Sequence, residues 1–147
     1  MKRRLCLYLA AVGVLTAASS PEPAPAQEFV VIVNASNPVA SMSKEEVAKL
    51  FLKKTVSWPA GTTVAAVEQP MTAKTREAFA REVLGKTIAQ VKSYWQQQIF
   101  SGRDVPLPEK QSDDDVVAFV RSNPNGIGYV AKGVEVGRGV KIISIAP

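Results

Sequence analysis

The chain has 147 residues, with 18 Lys+Arg against 13 Asp+Glu, no histidine and one cysteine. Those counts exclude a Ser-His or Cys-His nucleophile pair, a His-ligated zinc and any disulfide framework within one chain. At 21% charged and 46% hydrophobic the chain is globular rather than disordered, and its length suits one domain.

The first 26 residues read as an export address. Lys2, Arg3 and Arg4 precede an uncharged run over residues 5–18, and Ala24-Pro25-Ala26 supplies a small-x-small cleavage site. The apolar run is shorter than the roughly 20 residues a membrane span needs. The expectation is a signal peptide over residues 1–26, cut after Ala26. A single domain over residues 27–147 then lies in the periplasm or is secreted, with no stable membrane span. The alternative keeps the segment as an anchor on the Pro-rich tether of residues 19–27. Cys6 leaves with the signal. So do three basic groups and Glu22, which lowers the net charge from +5 to +3. The remaining charges are scattered and interleaved, so nucleic acid is not an expected partner.

Residues 29–33 (FVVIV) form an unbroken β-branched and aromatic run, read as a strand buried on both faces in a parallel or mixed sheet. Ser43 with Glu46 predicts a capping box, and Val47, Leu50 and Phe51 share the apolar face of the helix that follows. Trp58-Pro59-Ala60-Gly61 is a turn, and residues 62–68 (TTVAAVE) form a predicted strand. A second helix starts near Thr72 and stops at Gly85. A third opens at Thr87 with Gln90 and carries Ile88, Val91, Tyr94, Trp95 and Ile99 as its stripe, ending at Gly102. Ser112 before Asp113, Asp114 and Asp115 caps a fourth, whose face is Val116, Phe119 and Val120. Residues 127–130 and 140–145 are strands. Tyr94, Trp95, Phe100 and Tyr129 are expected in the core. The sum is one α/β domain of about four helices and four strands.

Two loops are candidates for binding. Residues 69–76 (QPMTAKTR) join a strand to a helix, where backbone N–H groups and the helix dipole attract anions. Thr72 and Thr75 add hydroxyls there, and Lys74 and Arg76 add positive charge. The competing reading makes Thr72 only a cap and leaves the basic residues solvated. Asn34-Ala35-Ser36-Asn37 leaves the end of a buried strand, where open α/β sheets bind ligands, or is turn chemistry before Pro38. The aspartate run reads as first-turn acids rather than a metal site, and Glu68 has no identifiable partner in the sequence.

Several segments together carry a resemblance. Val47-Ala48-Lys49-Leu50-Phe51-Leu52-Lys53-Lys54 followed by Ser57-Trp58-Pro59-Ala60-Gly61 resembles the helix-to-turn signature of periplasmic phosphate-binding proteins of ABC importers. Thr75-Arg76-Glu77-Ala78-Phe79, Tyr94-Trp95 and Phe100-Ser101-Gly102 continue it in order. Asn123-Pro124-Asn125-Gly126-Ile127-Gly128-Tyr129-Val130 is similar to that family's closing motif.

The resemblance covers nearly all of residues 27–147. It implies an α/β, three-layer-like single lobe of a type II periplasmic binding protein, with a mixed sheet flanked by helices. Family members are two-lobed and trap the ligand between lobes. One lobe offers a single wet wall and weaker affinity. Where the family has an arginine followed by a Ser-Gly-Thr run, this chain has Gln69, then Ala73-Lys74-Thr75, so the threonine alone matches.

The implied function is an exported domain associated with ABC-type phosphate uptake. It binds phosphate or a related oxyanion at a helix N-terminus, through Thr72, Ala73, Lys74, Thr75 and Arg76 with Asn34 and Ser36. A membrane transporter or another exported protein is the implied partner. The alternative is an exported interaction module that kept the fold and lost the ligand. No cofactor, metal or catalytic centre is expected.

Overall fold

The computed structural model describes residues 27–147, so the expected signal sequence lies outside the described residues. The run read as a doubly buried strand is β1 (Phe29–Asn34), the middle of a five-stranded sheet. On either side of it lie β4 (Gly126–Ala131) and β5 (Val140–Ala146), both antiparallel to it. β2 (Ser41–Ser43) runs parallel outside β5, and β3 (Ala65–Ala66) parallel outside β4. The order is therefore β2-β5-β1-β4-β3.

Strand alternation divides the core into two layers. Phe29, Val31 and Val33 pack with α1 (Lys44–Phe51) and α2 (Lys74–Phe79) on one face. Ile32 points to the other face, against Val116, Val117 and Val120 of α4 (Asp113–Ser122). α3 (Ile88–Phe100) lies outside α2 and docks Val91 and Trp95 beside Ala80. Helices thus flank a mixed sheet on both sides, the α/β arrangement expected from the sequence.

Local chemistry places most helix ends where the sequence put them. Both halves of the capping box form at Ser43–Glu46 and at Thr87–Gln90, and the Ser112 hydroxyl accepts from the Asp115 N–H. α2 differs. It starts at Lys74 rather than near Thr72, and its N-cap is Ala73, which supplies no side-chain cap. It then widens into a π-helical turn over Ala80–Leu84, closed by Gly85 in the left-handed conformation (φ 61°).

Three further expectations change. β2 is an unforeseen strand, three residues that pair with the end of β5. The strand predicted over residues 62–68 contributes only Ala65 and Ala66 to the named sheet. Its far end turns to another partner, since the Glu68 N–H donates to the Pro108 carbonyl and the Lys110 N–H to the Glu68 carbonyl. Phe100 is not core. At 91% exposed it lies beyond Val91 and Trp95, the α3 side chains that pack with Ala80, and Ile99 is half exposed beside it.

Candidate functional site

The loop of residues 69–76 leaves the C-terminal end of β3 and enters α2. Its own turn is closed by the Ala73 N–H donating to the Pro70 carbonyl. Thr72 and Lys74 are exposed, and Ala73 and Thr75 are half-buried. With alanine at the cap, the first-turn N–H groups of α2 lack the side-chain acceptor that Ser43, Thr87 and Ser112 give the other three helices. Among the described residues Lys74 enters no ion pair.

Arg76, the charge expected to face an anion, points inward instead. Its side chain is 3% exposed. The guanidinium Nη1 donates to the Gln69 carbonyl, which ties residue 76 back to residue 69, and to Glu109 Oε1 at 3.0 Å. Nε lies 3.6 Å from Glu68 Oε2. The same Glu68 oxygen accepts the Tyr129 hydroxyl proton in a short hydrogen bond. Gln69 extends the network: its Nε2 donates to Asp113 Oδ1 at 2.6 Å and to the Tyr129 carbonyl at 3.0 Å. One guanidinium therefore faces two carboxylates under the loop.

Burial governs the electrostatics here. Glu68 is fully enclosed, and desolvation raises its pKa to about 7, against the opposing pull of the Arg76 charge and the Tyr129 hydrogen bond. Desolvation, and then the neighbouring Glu68 charge, push the Tyr129 hydroxyl well above the usual phenol range. Tyr129 is also held by stacking on Phe79, with centroids 3.9 Å apart and planes within 6°.

Asn34 and Ser36 sit elsewhere. β1 runs antiparallel to β4 while β3 runs parallel to it, so the C-terminal ends of β1 and β3 lie at opposite ends of the sheet. Asn34 follows the pairing of Val33 with Ile127, near the start of β4, whereas Gln69 bonds Tyr129 toward the strand's far end. Asn34 is itself buried and occupied. Its Nδ2 donates to the Val120 and Arg121 carbonyls at the end of α4, and its Oδ1 accepts from the Ser36 N–H and hydroxyl. The structure thus groups Thr72, Ala73, Lys74, Thr75 and Arg76 and separates them from Asn34 and Ser36.

An open groove of about 690 Å³ runs beside the loop between α2 and α3, lined by Met71, Thr72, Glu77, Arg81, Lys86 and Ile88. Among the described residues no three His, Cys, Asp or Glu side chains are grouped to hold a metal ion. Nor is any helix there long and apolar enough to cross a membrane.

Sequence reasoning missed Glu68 as the hub of this network, because the other members, Arg76, Glu109 and Tyr129, lie 8, 41 and 61 positions away. One signal was present: a lone carboxylate ending an apolar run, TTVAAVE, at a position that strand alternation buries.

Protein-family models and curated proteins give no match to the chain. Solved structures do. An ABC-type phosphate transport receptor from Vibrio cholerae matches over 80% of this chain and 46% of its own, with TM-score 0.61 and 19% identity. PstS from Borrelia burgdorferi matches over 80% and 47%, with TM-score 0.63 and 14% identity. The chain thus spans less than half the length of each receptor. Over that span it has their fold, as its sequence resemblance to phosphate-binding proteins led us to expect: a mixed sheet flanked by helices, corresponding to a single lobe.

Proposed function

We propose that the chain is an exported binding domain of the phosphate-receptor type, cleaved after Ala26, that takes phosphate or a related oxyanion and serves ABC-type uptake. The observation that carries the reading is the open N-terminus of α2, which alone among α1, α2, α3 and α4 lacks a side-chain cap and stands beside exposed Thr72 and Lys74. N–H donors at a helix start and a lysine ammonium are the chemistry an oxyanion requires. Thr72, Ala73, Lys74 and Thr75 form the contact surface in this reading, and Arg76 braces it from beneath. Asn34 instead bonds the end of α4, and Ser36 bonds Asn34. With one wall only, binding is weak.

A thermal-shift titration of residues 27–147 tests this. A ligand that binds only the folded state at 100 times its Kd adds about 2.7 kcal/mol. Phosphate or sulfate at millimolar concentration raises Tm in the parent and less in Lys74→Ala. No shift with either anion rejects the reading.

A second reading, an interaction module that has lost its ligand, is favoured by a different observation. Arg76 is fully engaged by Glu68 and Glu109, and Ile99, Phe100 and Val105 are exposed apolar side chains close together in sequence. Sedimentation of the parent and of Phe100→Asp separates the two. A self-associating or partner-bound parent that becomes monomeric in the variant supports this second reading, and two identical monomers oppose it.

A further inference from the structure

The buried cluster under the loop has a property that anion binding does not need. Arg76 bonds the Gln69 carbonyl, so one side chain closes the loop of residues 69–76 on itself. Everything that holds the guanidinium therefore holds the loop. Its other partners are Glu109, whose side chain is 39% exposed, and Glu68, which is 2% exposed and fixed by Tyr129.

We propose that Glu68, Arg76, Tyr129 and Glu109 form a proton-operated clasp on this loop, closed when Glu68 is protonated and loosened when Glu68 is ionised. The proton is exchanged with solvent, and nothing else changes covalently. With Glu68 protonated, Arg76 and Glu109 balance and the enclosed cluster is neutral. With Glu68 ionised, one guanidinium serves two carboxylates and the cluster carries a net negative charge, with Glu68 itself enclosed.

The direction follows from linkage. Burial makes the closed state hold the Glu68 proton more tightly than an open state in which the carboxylate is hydrated, and rising pH moves the population toward the open state. The charged or titratable groups around Glu68 are Arg76 from α2, Tyr129 from β4 and Glu109 from the segment before α4. Asp113 of α4 reaches the cluster through Gln69, and the Lys110 ammonium is turned away over the Phe119 ring. No group with an ordinary pKa near neutrality faces Glu68, so a transition there belongs to Glu68 itself. The clasp stands whether or not the loop takes an oxyanion.

Amide exchange in the full chain tests it, read by NMR at Ala73 and Glu77, whose N–H groups are bonded at the loop and the start of α2. After correction for intrinsic exchange rates, protection at both falls at least fivefold from pH 5.5 to pH 8.5. The carboxyl carbon of Glu68 titrates in the same interval. Glu68→Gln, fixed neutral, shows no such fall, and Glu109→Gln, which leaves the guanidinium to Glu68 alone, weakens it. A Glu68 carboxyl titrating in the ordinary carboxylate range overturns the proposal, as does an unchanged pH dependence in Glu68→Gln. If that variant does not fold, the carboxyl titration of the parent decides alone.

Discussion

Arg76 and Glu68 face one another across 3.6 Å with side chains only 3% and 2% exposed. The contact joins the first turn of α2 to the segment just past β3, and it replaces the open guanidinium that the sequence suggested. Buried pairs of this kind contribute little net stability against an apolar substitute, but losing one member is costly.

Arg76→Ala leaves Glu68 enclosed without its cation. Urea unfolding at pH 8 is expected to show a loss of roughly 3 to 5 kcal/mol. At pH 5.5 the loss is smaller, because Glu68 escapes by taking a proton. An equal loss at both pH values contradicts this account.

The parent chain has its own pH dependence. The Glu68 pKa is raised in the folded state, from 4.5 to about 7, so between those values the folded chain binds more protons than the unfolded one. Stability from this group is greatest below pH 4.5 and is lost as pH rises toward 7, by an amount on the order of 3 kcal/mol. Denaturation at closely spaced pH values, compared with Glu68→Gln, isolates the contribution. A parent curve parallel to the variant's through that window removes it.

Asn34→Ala separates the two loops. The change strips the Val120 and Arg121 carbonyls of their Nδ2 donor and costs about 1 to 3 kcal/mol. The end of α4 loosens, visible as faster amide exchange there. Any oxyanion affinity measured at the far end of the sheet is unchanged, and a tenfold loss of affinity would bring Asn34 back into the site.

Gly128→Ala tests how closely α4 lies on the sheet. A Cβ at this position would come within 2.6 Å of Val116 Cγ1 and 3.3 Å of Val67 Cγ2. Overpacking of this sort costs about 1 to 3 kcal/mol. Combining it with Val116→Ala restores part of the loss, since the two changes share one space.

Regular structure was legible wherever a short-range signal existed. Ser43 with Glu46 and Thr87 with Gln90 are three residues apart, and both boxes form as written. The unbroken run from Phe29 to Val33 became the central strand because both sheet faces are covered. The failures share a cause in long range. Glu68 left the expected strand pattern for a bond to a loop 40 residues on, and Arg76 turned inward because that carboxylate was waiting there. The split between the Asn34 loop and the Thr72 loop depends on strand direction, which no local pattern encodes.

The sheet ends in its two shortest strands, β2 with three residues on one side and β3 with two on the other. A foreign strand adding to a sheet needs a straight row of unpaired backbone groups, and β2 and β3 themselves offer it only two or three residues. The long strands, β1, β4 and β5, are all interior. Their apolar sequences are those most able to template fibrils, and β1, paired along both sides, is out of reach in the native fold. Fibril growth templated by β1 then requires the sheet to open first.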